Sequence, residues 1–111
     1  MQFSTESSDS RLVVSVAGRL DFGTSGTFQR LLDPVLAQAG GRALIIDCTG
    51  LDYVSSVGLR VFLIGARAAQ AVGVRFVLCS LQEPVAEVFR VSGFHKVIQT
   101  FPDRAAAEAA T

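Results

Sequence analysis

The sequence predicts an α/β fold, with a mixed, mostly parallel sheet of about five strands in the order β-β-α-β-α-β-α-β-α. Three observations carry this expectation. Two strand-like segments near the N-terminus are joined by Ser7-Ser8-Asp9-Ser10, a stretch of turn composition. Strand-like and helix-like segments then alternate, which implies parallel strands joined by right-handed crossovers. Ala43-Leu44-Ile45-Ile46 is a continuous apolar run, suited to a central strand covered on both faces.

Each element has its own signal. Phe3 to Glu6 and Leu12 to Ala17 read as the first two strands, the second being the stronger. Gly18-Arg19-Leu20-Asp21 leads into a helix that Thr24 or Ser25 can cap. Phe28, Leu31, Leu32, Val35, Leu36 and Ala39 recur at helical spacing, so one face packs on a core. Pro34 is expected to kink or split this helix, and Gly40-Gly41 to end it. After the strand at Ala43–Ile46, a hydroxyl-bearing hinge runs from Asp47 to the start of a second helix, Val57 to Val72, apolar almost all round. Gly73 stops that helix, and Val74 to Cys79 is the next strand. Pro84 suits the first turn of a third helix, which runs to about Ser92 with Gly93 as its stop. Val97-Ile98-Gln99 reads as a short last strand, and Pro102-Asp103 opens an Ala-rich helix from Arg104 to Ala110.

The chain has 111 residues, the size of one domain, and shows no internal repeat or linker, so residues 1–111 read as a single unit. Half of the residues are hydrophobic and 18% are charged, enough for a real core. That apolar fraction permits a weak dimer as well as a monomer. Ten basic and ten acidic side chains balance, with no basic stripe, so direct nucleic-acid binding is not expected. No apolar run approaches the roughly 20 residues of a membrane span. Met1-Gln2-Phe3-Ser4 has neither a basic segment nor an apolar stretch of a secretory signal, which makes a cytoplasmic protein the default.

Little else in the chain looks chemical. A serine nucleophile needs a base, and His95 is the only histidine; no G-x-S-x-G elbow surrounds the serines. Neither a P-loop nor a G-x-G-x-x-G fingerprint occurs, so no cofactor is expected. Cys48 and Cys79 end apolar strand-like runs and read as reduced core thiols, although neighbouring parallel strands would bring them close. With one histidine a zinc site is not expected. Asp21, Asp47 and Asp52 lie near strand ends, where capping and turn roles explain them better than a metal does.

The segment Asp47-Cys48-Thr49-Gly50-Leu51-Asp52-Tyr53-Val54-Ser55-Ser56-Val57-Gly58-Leu59 is the informative one. It puts Ser55 and Ser56 where a helix begins, among amide groups without internal partners and at the positive end of the helix dipole. Either serine can be a simple N-cap. Ser56, Arg60, Leu63 and Arg67, however, recur at i, i+4, i+7 and i+11, which is one face of the helix and its expected solvent face. A narrow exposed stripe that starts with a hydroxyl and continues with guanidinium groups can dock a partner, and one phosphate can disrupt that docking.

These residues also resemble a known family, the STAS domain, and in particular the stand-alone bacterial anti-anti-sigma factors, or anti-sigma factor antagonists. Gly18-Arg19-Leu20-Asp21 resembles the family's Gly-x-Leu-Asp. Leu44-Ile45-Ile46-Asp47 followed by Gly50 to Leu59 is similar to its central signature. Phe76 to Cys79, Pro84-Val85 and Phe89 to Phe94 are similar to its closing segment. The resemblance covers nearly the whole chain and implies a single STAS domain with helices packed mainly on one face of the sheet. It aligns Ser56 with the family's phosphorylated serine and Asp21 with an acidic position near that serine. Val57 departs from the small or hydroxyl residue common at the next position, and Arg60 stands where many members have a small residue.

What the resemblance implies is partner switching. The unphosphorylated protein binds an anti-sigma factor that is a GHKL-type serine kinase, which frees a sigma factor. That kinase phosphorylates Ser56 and the complex weakens; a PP2C-type phosphatase restores binding. The implied contact residues are Asp21, Ser55, Ser56, Val57, Gly58, Arg60, Leu63 and Arg67, and the chain itself is not an enzyme. The alternatives are an accessory or scaffold STAS subunit of a stressosome-like or lipid-transport complex, or a nucleotide-binding sensor.

Overall fold

The computed structural model describes residues 1–111. Strands β1 (Gln2–Ser7), β2 (Arg11–Leu20), β3 (Ala43–Val54), β4 (Phe76–Cys79) and β5 (Gln99–Phe101) alternate with helices α1 (Phe22–Ala37), α2 (Ser56–Ala71), α3 (Glu83–Ser92) and α4 (Arg104–Ala110) in the expected order. The sheet has five strands in the order β1-β2-β3-β4-β5. β1 is antiparallel to β2, and every other pair is parallel.

Alternation along the strands divides the core. Val14, Val16, Leu44, Ile46, Cys48 and Leu78 point to the face that α1, α2 and α3 cover with Phe28, Leu32, Phe62, Val85 and Phe89. Val13, Ile45, Val77 and Cys79 point to the other face, where α4 contributes Ala107. The helices therefore pack mainly on one side. Phe3, Phe28, Phe62, Phe89 and Phe94 form a continuous aromatic chain across that side, with centroid separations of 5.6, 5.3, 5.6 and 6.4 Å.

Several boundaries differ from the sequence reading, each for a local reason. β3 does not end at Ile46. It continues to Val54, and most of the expected hinge is strand, because β2 runs beside it to its end with register shifts near Ala17 and Gly18. Gly50 permits this, since a Cβ there would lie 2.7 Å from the Ala17 Cβ. α1 is capped by Asp21, not by Thr24 or Ser25. The Asp21 carboxylate accepts the Gly23 amide at 3.0 Å, Thr24 Oγ1 accepts the Asp21 amide at 2.9 Å, and Ser25 is buried with its hydroxyl on the Asp21 carbonyl. Gly23 and Gly26, poor helix formers, hide that early start in the sequence. Pro34 does not split α1, because it lies exposed in the last turn and costs only one amide donor there. The last strand is Gln99–Phe101, not Val97–Gln99. Phe94–Lys96 form a 3-10 turn whose Phe94 carbonyl accepts the amides of Val97 and Ile98 at 2.9 Å, which keeps those residues out of the sheet.

Cys48 and Cys79 are free thiols on adjacent strands, buried on opposite faces of the sheet. Burial pushes both thiols up, Cys48 the more strongly, with a further push from the neighbouring thiol and Asp47.

Candidate functional site

The site lies where the C-terminal ends of β2 and β3 meet the start of α2. Leu20 pairs with Val54 in the sheet, and the Leu20 carbonyl accepts the Ser55 amide at 2.9 Å. Ser55 is the N-cap: it is extended, and its hydroxyl accepts the Gly58 amide at 3.2 Å. Ser56 is the first helical residue, is exposed, and makes no side-chain hydrogen bond within the protein.

Gly58 is buried under this turn. A Cβ at that position would lie 2.7 Å from the Leu20 carbonyl oxygen and 2.9 Å from the Leu20 Cγ. Its place is steric: it lets α2 start against the end of β2. Asp21 caps α1 next to this junction, and its other carboxylate oxygen lies 3.9 Å from the Arg19 guanidinium. Arg19 in turn sits 4.0 Å above the Tyr53 ring.

Beyond Ser56, α2 presents the predicted face. Ser56, Arg60, Leu63 and Arg67 share one shallow groove of about 530 Å³ with Leu59, Ile64, Ser92 and Phe94. Leu63 is half-buried, so the stripe is solvated at Ser56, Arg60 and Arg67 and apolar between them. A second groove of about 350 Å³ lies on the other side of Arg60 and Ile64, lined by Val57, Val61 and the start of α1. Phe22 opens that groove with 86% of its surface exposed, and Val57 is 41% exposed.

The structure thus brings Ser56, Val57, Arg60, Leu63 and Arg67 onto one surface, with Ser55 and Asp21 as the caps of the two helices beside it. Sequence reasoning missed Phe22, Ile64, Ser92 and Phe94. Phe22 carried a usable signal: it is a large apolar residue directly after the cap, out of phase with the buried stripe Phe28, Leu32, Leu36. Ser92 and Phe94 reach the groove only through the packing of α3, a long-range fact with no local pattern.

No nucleophile–base pair is assembled here. His95 Nδ1 lies 3.4 Å from the Phe89 carbonyl oxygen. Within β3, the Asp47 carboxylate accepts the Thr49 amide and hydroxyl, at 3.0 and 2.6 Å. No group of three His, Cys, Asp or Glu side chains is placed to hold a metal ion. No helix is long and apolar enough to cross a membrane.

The family model for the STAS domain matches residues 2–107. BtrV of Bordetella bronchiseptica, a proposed anti-sigma factor antagonist, is 35% identical over 112 aligned positions, covering 99% of this chain and 94% of that protein. An anti-sigma factor antagonist from Mycobacterium paratuberculosis has the same fold, with a TM-score of 0.88 at 24% identity over 98% of this chain and 92% of that one. The Bacillus cell fate determinant SpoIIAA also shares it. Its unphosphorylated form gives a TM-score of 0.79 at 22% identity, covering 98% and 96% of the two chains. Its phosphorylated form gives 0.73 at 20% identity, covering 99% and 100%. The sheet order, the helix placement and these matches agree, and the chain belongs to the STAS domain family, in the branch that includes proteins named anti-sigma factor antagonists.

Proposed function

We propose that this protein is an anti-sigma factor antagonist switched by phosphorylation of Ser56. Unphosphorylated, it binds a GHKL-type serine-kinase anti-sigma factor in the cytoplasm and so releases a sigma factor. The kinase transfers a phosphoryl group from ATP to the Ser56 hydroxyl, and a PP2C-type phosphatase removes it. The chain is substrate and binder, with no catalytic activity of its own.

The observation that carries this reading is the division of labour between two adjacent serines. Ser55 is occupied as a cap, while Ser56 is exposed, uncommitted and at the head of a grooved apolar surface. The 35% identity to a proposed antagonist over nearly the full length of both chains supports the same partner class.

The physics is favourable. A phosphate at the first residue of α2 meets unpaired amides and the positive end of the helix dipole, so the fold tolerates it. On the docking surface it adds about −2 of charge that must be desolvated on binding. Each ~1.4 kcal/mol of that penalty weakens the complex tenfold. Incubation with the cognate kinase and ATP, followed by peptide mapping, tests the assignment. Label on the peptide that contains Ser56 is expected, and label that persists in Ser56→Ala refutes it.

A further inference from the structure

We propose that the two grooves flanking Arg60 receive an acidic, amphipathic segment of the protein partner, with its apolar side chains in the grooves and a carboxylate on Arg60 and Arg67. The displacement of that segment by phosphate rests on the reading of Ser56 given above; the docking chemistry does not.

The charge pattern is the first argument. Arg60 and Arg67 are the only titratable residues lining either groove, in a chain with ten acidic side chains. Of its arginines, Arg11, Arg19, Arg30, Arg42, Arg75, Arg90 and Arg104 each have a hydrogen-bond or ion-pair partner in the protein. Arg60 and Arg67 have none, and both lie in the groove that contains Ser56. Guanidinium groups without an internal acid, in grooves lined by no acid, complement a carboxylate supplied from outside.

The apolar pattern is the second. Phe22, Val57 and Ile64 are exposed to 86, 41 and 36% around the groove on the α1 side. Leu59, Leu63 and Phe94 line the other groove. Phe94 is held there by its edge-on contact with buried Phe89 at 6.4 Å. Arg60 belongs to both grooves, so a carboxylate on it sits at the centre of the contact with apolar pockets on either side. Ser56 lies one turn before Arg60, at the i, i+4 spacing at which helix side chains meet. A phosphate there competes for the same guanidinium and repels the incoming carboxylate.

Two synthetic helical peptides of equal length and identical Leu spacing, one with Glu and one with Lys at the polar positions, test this against the isotope-labelled full chain by NMR titration. The Glu peptide should shift the amides of Phe22, Ser56–Arg67 and Phe94, bind more tightly than the Lys peptide, and weaken as salt is added. Arg60→Gln should reduce its affinity about threefold, and Arg60→Gln with Arg67→Gln about tenfold. Both variants change exposed side chains, so the unbound spectrum reports an intact fold. No binding by the Glu peptide, equal or tighter binding by the Lys peptide, shifts centred on another face, or an unchanged affinity in the double variant would each overturn the proposal. A Glu peptide that binds these grooves equally with serine and phosphoserine at position 56 upholds the docking chemistry and removes Ser56 as its switch.

Discussion

Ser55 accepts the Gly58 amide at 3.2 Å, and that one hydrogen bond decides which of two adjacent serines is committed to the fold. Removing it has a defined cost. Ser55→Ala should lower the unfolding free energy by about 1 kcal/mol, the usual loss for an N-cap, read from urea denaturation. Ser56→Ala, which deletes an exposed hydroxyl without partners, should stay within about 0.5 kcal/mol of wild type. Equal losses at both positions would mean that the two serines share the cap.

Gly58 makes opposite predictions from local and tertiary reasoning. Helix propensity alone says that Gly58→Ala should stabilise α2 by about 1 kcal/mol. The Leu20 carbonyl, 2.7 Å from the new Cβ, says otherwise. The clash should win, with a net loss of about 1–3 kcal/mol and a displaced α2 start, visible in the melting temperature and in the amide shifts of Leu20 and Ser55. A raised melting temperature would contradict the close packing of this junction.

The thiols give a pH dependence with a definite sign. Burial raises the Cys48 and Cys79 thiols in the folded protein, while an unfolded cysteine ionises near pH ~8.5. The unfolded chain therefore loses protons first as pH rises. The stability is complete below the unfolded value and drains away above it, at about 1.4 kcal/mol per pH unit for each thiol. Urea midpoints should hold level up to about pH 8.5 and fall from there toward about pH 10, more gently in Cys48→Ala. Identical slopes in the two proteins would remove Cys48 from the account.

Much of this was legible in the sequence, for reasons that can be named. The element order, the Asp103 and Gly93 helix boundaries and the Ser56–Arg60–Leu63–Arg67 face all follow from short-range patterns: caps, stops and helical spacing. What was not legible depends on distant residues. Asp47 to Val54 looks like a loop until β2 runs beside it to Leu20. The start of α1 was masked by Gly23 and Gly26, and Val97-Ile98 looks like a strand until the Phe94 carbonyl takes its amides. At the site, the burial of Gly58 was not legible because it depends on where β2 ends, and Phe94 went unseen because α3 delivers it.

The central claim is that phosphate on Ser56 releases the partner without unfolding the protein. Titration calorimetry of the cognate anti-sigma factor into the unmodified chain, and into the same chain carrying phosphoserine at position 56, measures this directly. The account predicts tight binding by the first and an affinity at least about a hundredfold weaker for the second, equivalent to about 2.8 kcal/mol, with the melting temperatures of the two forms nearly equal. Equal affinities for the two forms would contradict it.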